Sequence, residues 1–287
     1  MRAFHRAILV LLAVLLLFTS YILSSYGIQS ERPDTTSAMP APVVVTPGPP
    51  RTTEPPEGPE TVPIPTSEPT PEPTPEPSPL PASFFDDAVF LGDSISGTLE
   101  YYGNHNDGLG EAVFLVRVDY SLRAALDGSM LVEYGRQSMR PEEAIEAAGA
   151  NKLFIMLGAM GDIASEGIDK TMDNWAQLIS NIRSRRPQIR IYIQSCTPLS
   201  ARGETTRLNN KLVDEYNERL KTFAEENDCV YVMIGENFKD ENGALPDKYC
   251  RDGYAHLRID AGEYWAELLR DPASYSISPW EDYRVRP

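Results

Sequence analysis

Histidine and cysteine are scarce in this chain, with three of each in 287 residues. No C-x-x-C pair and no histidine-rich spacing occurs, which argues against a zinc module, and three cysteines do not make a disulfide framework. Cationic side chains are also short in supply: 26 Lys and Arg face 42 Asp and Glu, a formal charge of −16. A nucleic-acid binder needs a basic face, so nucleic acid is not an expected partner. Long apolar runs are missing everywhere except at residues 7–23, "AILVLLAVLLLFTSYIL", which hold no charge.

What is present divides into three kinds of material. Residues 1–28 carry two arginines ahead of the apolar run and no acid. This pattern fits a cytoplasmic n-region followed by a transmembrane anchor, or a signal peptide. The run exceeds the usual h-region and no A-x-A site follows it, so the anchor is the adopted expectation, with "SSYG" (24–27) as the alternative cleavage site. Arginines before the span orient the remainder outward, as a single-pass extracellular protein of the cell membrane, or a secreted one if the leader is cleaved. Residues 29–82 contain 18 of the 25 prolines, interspersed with Thr, Glu and Ser. Such a segment repeats no apolar stripe and withholds backbone donors, so it is expected to be a disordered tether. In polyproline form, at about 3.1 Å per residue, it would reach roughly 150 Å, a span suited to crossing a cell wall. Residues 83–287 are the part able to bury a core, and their length is that of one ordinary domain.

Within that domain five short apolar runs stand out: "AVFLG" (88–92), "AVFLVRV" (112–118), "KLFIMLG" (152–158), "IRIYIQS" (189–195) and "CVYVMIG" (229–235). Near-continuous apolarity over so few residues predicts strands covered on both faces, as in a parallel sheet. Between them, Met172, Trp175, Leu178, Ile179 and Ile182 recur at helical spacing ahead of Pro187. Leu208, Leu212, Val213, Tyr216, Leu220 and Phe223 do the same in a stretch beginning near Glu204, and a last helix follows Asp260. Strands alternating with helices predict an open α/β sheet, in which ligands sit beyond the carboxyl ends of the strands. Gly92-Asp93-Ser94 lies at such an end.

A serine hydroxyl becomes a nucleophile when a base takes its proton, and histidine is the usual base because it titrates near neutrality. His5 lies on the far side of the anchor, which leaves His105 and His256. His256 stands in "CRDGYAHLRID", where the Asp252-Gly253 turn can fold a carboxylate back onto the imidazole. His105 stands in "YGNHNDG", expected to be a loop without an apolar anchor. Ser94 read alone is equally a helix N-cap, and His256 read alone a surface histidine. Trp175, Trp265 and Trp280 are expected to be packing residues rather than sugar platforms, and "IRSRRP" (182–187) a solvated helix end.

Taken together, "FLGDS" and "DGYAHL" resemble the first and last sequence blocks of the SGNH/GDSL hydrolases, over roughly residues 84–270. The resemblance implies a flavodoxin-like three-layer α/β/α sandwich with a mainly parallel five-stranded sheet. It also implies a serine esterase in which Ser94 attacks an ester carbonyl, His256 is the general base and Asp252 orients it, with no metal or cofactor. Several positions depart from the pattern. The last block has one residue more between Asp252 and His256, and the glycine expected after the second strand has no clear match in "VRVDYSLRAA". The third block, usually Gly-x-Asn-Asp, reads Gly158-Ala159-Met160-Gly161-Asp162, so the asparagine that donates to the oxyanion is absent. Gly158, Met160 and Gly161 are the candidate oxyanion or substrate-binding residues, with the Ser94 amide. The anchor and tether make O-acetylated cell-wall or capsular carbohydrate the expected substrate, or another small ester. Alternatives are a catalytically weakened relative that binds carbohydrate, and an O-acyltransferase. If one disulfide forms, Cys196–Cys250 is the expected pair.

Overall fold

The apolar runs become strands, and the order in which they pair determines where chemistry can sit. A computed structural model describes residues 78–280. The apolar span 7–23 and all but the last residues of the tether, with the expectations attached to them, lie outside the described residues. Among the described residues no helix is long and apolar enough to cross a membrane.

Strand β1 (Ala88–Gly92) leads through a 3-10 turn (Ser94–Ser96) into α1 (Gly97–His105). Strand β2 (Val113–Val116) is followed by α2 (Leu122–Asp127), a hairpin of β3 (Val132–Tyr134) and β4 (Gln137–Met139), and α3 (Pro141–Ala147). Strand β5 (Lys152–Met156) precedes α4 (Asp162–Glu166) and α5 (Ile168–Arg185), and β6 (Arg190–Gln194) precedes α6 (Asn210–Glu226). Strand β7 (Val230–Val232) leads to the last helix, α7 (Ala261–Arg270). The main sheet has the order β2-β1-β5-β6-β7, and every pairing in it is parallel. Helix α1 packs on α7, while α5 packs against α2, α3, α4 and α6, which completes an α/β/α sandwich. The strand order reverses between β1 and β5. In a doubly wound sheet that switch point opens the crevice where ligands bind.

Register is held by an aromatic row across four adjacent strands. Phe114, Phe90, Phe154 and Tyr192 are mutual partners in the pairing register, and their rings stack at centroid distances of 5.1, 4.8 and 4.4 Å. Each such pair adds about 0.5–1.5 kcal/mol beyond its burial. A one-residue slip would carry any of these rings to the opposite face of the sheet. At the amino end, the buried Lys152 ammonium is paired with Asp87 at 2.5 Å and lies 4.6 Å from the Phe84 ring centroid.

Three expectations are corrected. The β3–β4 hairpin was not anticipated, because its three-residue strands carry the exposed polar residues Glu133, Gln137 and Ser138 and show no apolar alternation. Helix α6 begins at Asn210 rather than near Glu204, since the Asn209 side chain accepts from the Leu212 amide and caps it there. His105 is the last residue of α1, not a loop residue; its ring stacks on Tyr101 and its Nδ1 lies 2.7 Å from the Tyr101 carbonyl.

Candidate active site

The abrupt stop of β1 has a packing cause. A side chain on Gly92 would overlap the Ser96 side chain, so the chain turns tightly at the strand end only because nothing projects from Gly92. The buried Asp93 carboxylate then accepts from the Ile95 amide at 2.9 Å and caps the 3-10 turn. Burial pushes Asp93 up to about 6, against the pull of the Ile95 amide and of His256. The capping role thus falls to Asp93, and Ser94 is left half-buried at the crevice.

His256 reaches Ser94 from a loop 162 positions further along the chain, its Nε2 lying 3.0 Å from the Ser94 Oγ. Its other ring nitrogen, Nδ1, lies 2.6 Å from Asp252 Oδ2. The remaining oxygen, Asp252 Oδ1, accepts from the amides of Tyr254, Ala255 and His256 at 2.9, 3.2 and 3.3 Å. Burial raises the Asp252 carboxyl, but the His256 ring and these amides outweigh it and bring it down to about 2. A permanently charged Asp252 fixes the tautomer: Nδ1 carries the proton and donates, so Nε2 is free to accept from the Ser94 hydroxyl. A hydroxyl, an imidazole and a carboxylate in this series can generate a nucleophile at neutral pH. The extra residue in the last block leaves this alignment intact.

The third-block loop follows β5 and reaches across the exit of β1. Asp162, buried, accepts from the Leu122 and Arg123 amides at 3.0 and 3.2 Å, at the start of α2 beyond β2. Since β1 lies between β2 and β5, this contact closes an arch beside Ser94. Gly158 anchors the arch through its carbonyl, which accepts from the Asp162 and Ile163 amides. The Ala159 amide is directed at the buried Cys196 sulfur. Among the described residues, no acceptor faces the amides of Ser94, Met160 or Gly161. Gly158 is thus engaged through its carbonyl, and its amide, like those of Met160 and Gly161, has no acceptor among the described residues. Residue types did not reveal two features here. Asp162 was visible only as a member of a broken motif, and Asp119, after β2, takes the left-handed conformation (φ 57°) that glycine usually supplies.

The remaining candidates resolve simply. Trp175 and Trp265 are fully buried and donate to the Tyr216 hydroxyl and to Gln194 Oε1, while Trp280 donates to the Ser78 carbonyl. Arg185 and Arg186, at the end of α5, bind Glu143, Glu146 and the Ala150 carbonyl. The Cys196–Cys250 disulfide is not formed; both thiols, with Cys229, are free and buried. Cys196 faces the Leu157 carbonyl at 3.5 Å, whereas Cys250 faces Asp252 Oδ1 at 3.8 Å, so the two sulfurs point to different partners. Among the described residues no cluster of His, Cys, Asp and Glu could hold a metal ion.

The sequence matches the GDSL-like lipase/acylhydrolase family over residues 90–259, more than half of the chain. The chain belongs to that family. Two solved structures show the same fold. A Bacteroides fragilis protein proposed to be an acylhydrolase is 20% identical, with 68% of this chain and 89% of the other covered at a TM-score of 0.50. A Streptococcus pneumoniae protein proposed to be a platelet activating factor is 18% identical, with 64% and 82% covered at a TM-score of 0.50. A comparison with curated proteins found no match.

Proposed function

We propose that this acylhydrolase-family chain is a serine esterase that removes short acyl groups, O-acetyl above all, from cell-wall or capsular carbohydrate. The observation that carries the proposal is the Ser94–His256–Asp252 series at 3.0 and 2.6 Å, at the sheet's switch point. Ser94 Oγ attacks the ester carbonyl while His256 Nε2 takes its proton. The imidazolium then protonates the departing sugar oxygen, leaving an acetyl group on Ser94. Water, deprotonated by His256, attacks the acyl-serine, and acetate leaves as Ser94 recovers its proton. The Ser94 amide and those of Met160 and Gly161 supply donors for the oxyanion in place of the absent asparagine.

The carbohydrate is supported by the sequence outside the domain, whose apolar span and proline-rich stretch suit a protein held at a membrane and extended through a wall. The missing asparagine favours one further reading, a domain that binds acylated glycan and turns it over slowly. Acyl transfer to a sugar hydroxyl would use the same acyl-serine.

The test is acetate release from O-acetylated wall polysaccharide, and hydrolysis of p-nitrophenyl acetate, by the full-length chain and by Ser94→Ala. Release that disappears in the variant supports the esterase. Saturable glycan binding without release would favour the binding domain, and release that grows with added sugar acceptor would favour transfer.

A further inference from the structure

We propose that Ser200 is a positioning residue for His256, a role that rests on the catalytic reading of Ser94, His256 and Asp252. The Asp252–His256 turn is closed at its base by an antiparallel bridge between Cys250 and Leu257 and by hydrogen bonds from the Arg251 amide to the His256 carbonyl (2.8 Å) and from the Arg258 amide to the Tyr249 carbonyl (2.8 Å). Thr98, in the first turn of α1, also ties the base, its hydroxyl donating to the Leu257 carbonyl at 3.1 Å. The tip of the turn, Gly253 and Tyr254, is held from the loop after β6. There the Ser200 hydroxyl donates to the Gly253 carbonyl at 2.5 Å, and the Ser200 amide donates to the Tyr254 carbonyl at 2.7 Å.

Ser200 is well placed to transmit rigidity because it is 2% exposed and its own surroundings are tied down. Its hydroxyl accepts from the Gly203 amide at 3.1 Å. The preceding residue, Leu199, exchanges both backbone groups with the Asn210 side chain at the start of α6, at 2.7 and 2.9 Å. The two loops are also in close contact at Gly203, where a side-chain carbon would stand 2.6 Å from the Tyr254 carbonyl oxygen. Asp252 and its amide donors make the turn internally consistent, but they do not set its distance from Ser94, which stands on a different loop. The Thr98 tie fixes one end of the turn, and Ser200 fixes the other, beside Asp252. Without the Ser200 hydroxyl the tip keeps only the amide tie at Tyr254, so Gly253 beside Asp252 is released, and the Ser94–His256 separation changes with it. Misplacements of about 1 Å in such contacts cost on the order of 100-fold in rate.

The experiment compares the full-length chain with Ser200→Ala, which keeps the Ser200 amide but removes the hydroxyl, and with Ser200→Thr, which keeps both. Two readouts are taken: kcat and KM for p-nitrophenyl acetate, and the low-field proton resonance of His256 Nδ1–H. Ser200→Ala is expected to lower kcat about 10- to 100-fold with KM changed less than about twofold. It should also broaden or shift the resonance, and Ser200→Thr should recover most of both. Should Ser200→Ala fail to fold, Gly203→Ala, which pushes on Tyr254 from the same loop, is expected to give the same pattern. A folded Ser200→Ala with wild-type kcat and an unchanged resonance overturns the proposal, even if its melting temperature falls. If the wild-type chain hydrolyses no ester, the esterase reading fails by itself, and the resonance still decides whether Ser200 positions His256.

Discussion

The two sides of Ser94 are built by opposite means. On the His256 side, recognition is by side chains: an imidazole and a carboxylate, their orientation fixed by three backbone amides that converge on Asp252. On the arch side the family pattern would place an asparagine; here residues 158–162 hold none, and the loop is closed by its own backbone at Gly158 and by the Asp162 carboxylate. The side-chain half tolerates an inserted residue because the Asp252 turn re-forms around it. On the backbone half, Asp162 pins the loop to α2 where the asparagine is absent. A last block can therefore depart from its family's spacing while keeping its side chains aligned, provided backbone amides hold the turn.

The comparison can be tested at both halves. The largest loss after the nucleophile itself is expected at Asp252. In Asp252→Asn the Nδ1–H tautomer is no longer enforced, and kcat should fall about 10³- to 10⁴-fold with the fold intact. Circular dichroism and steady-state kinetics would check this, and a loss under tenfold would remove Asp252 from the series. On the arch side, Asp162→Ala leaves the Leu122 and Arg123 amides without their acceptor. Chemical denaturation should show a cost of about 1–3 kcal/mol, with a fall in kcat on the order of tenfold or more as the arch loosens. Unchanged kcat in a destabilised variant would mean that the arch contributes no donor.

The smallest effect on rate is expected at Asp93, where the prediction concerns pH. Its folded value of about 6 lies above the ordinary 3.8, so the folded protein binds the extra proton between these values. Stability from this group is complete below the ordinary value and is lost as pH rises through about 6. Asp93→Asn keeps an oxygen for the Ile95 amide and removes the buried charge. It should flatten the stability profile between about pH 4 and 6 and raise stability at pH 7 by up to about 3 kcal/mol. Asp252 has the opposite sign: its depressed value stabilises the fold above about pH 4, and that contribution disappears as pH falls through about 2. Urea titrations of wild type and Asp93→Asn at pH 4, 5, 6 and 7 separate the two groups, and parallel profiles would contradict the assignment to Asp93.

Legibility followed the same division. β1 was predicted residue for residue, and β5, β6 and β7 were located by runs one to three residues too long at an end, because a strand buried on both faces announces itself by composition. Ser94, His256 and Asp252, which the structure brings into contact, could be paired in advance because serine, histidine and aspartate are recognisable residue types and their two blocks together resemble a known family. The arch could not be read in the same way. Backbone amides carry no residue signature, and the contact that ties the arch to α2 joins Asp162 to Leu122, forty positions apart. The β3–β4 hairpin was missed for a related reason, since its strands are too short and too polar to show a period.

The most direct test of the central claim is intact-mass and peptide mapping of the full-length chain after treatment with diisopropyl fluorophosphate. A hydroxyl activated by His256 should take one phosphoryl group per chain, on the peptide carrying Ser94, and His256→Ala should slow the reaction by at least about 10³-fold. No adduct, or one on another serine, would contradict Ser94 as the nucleophile and leave the site as a binding crevice.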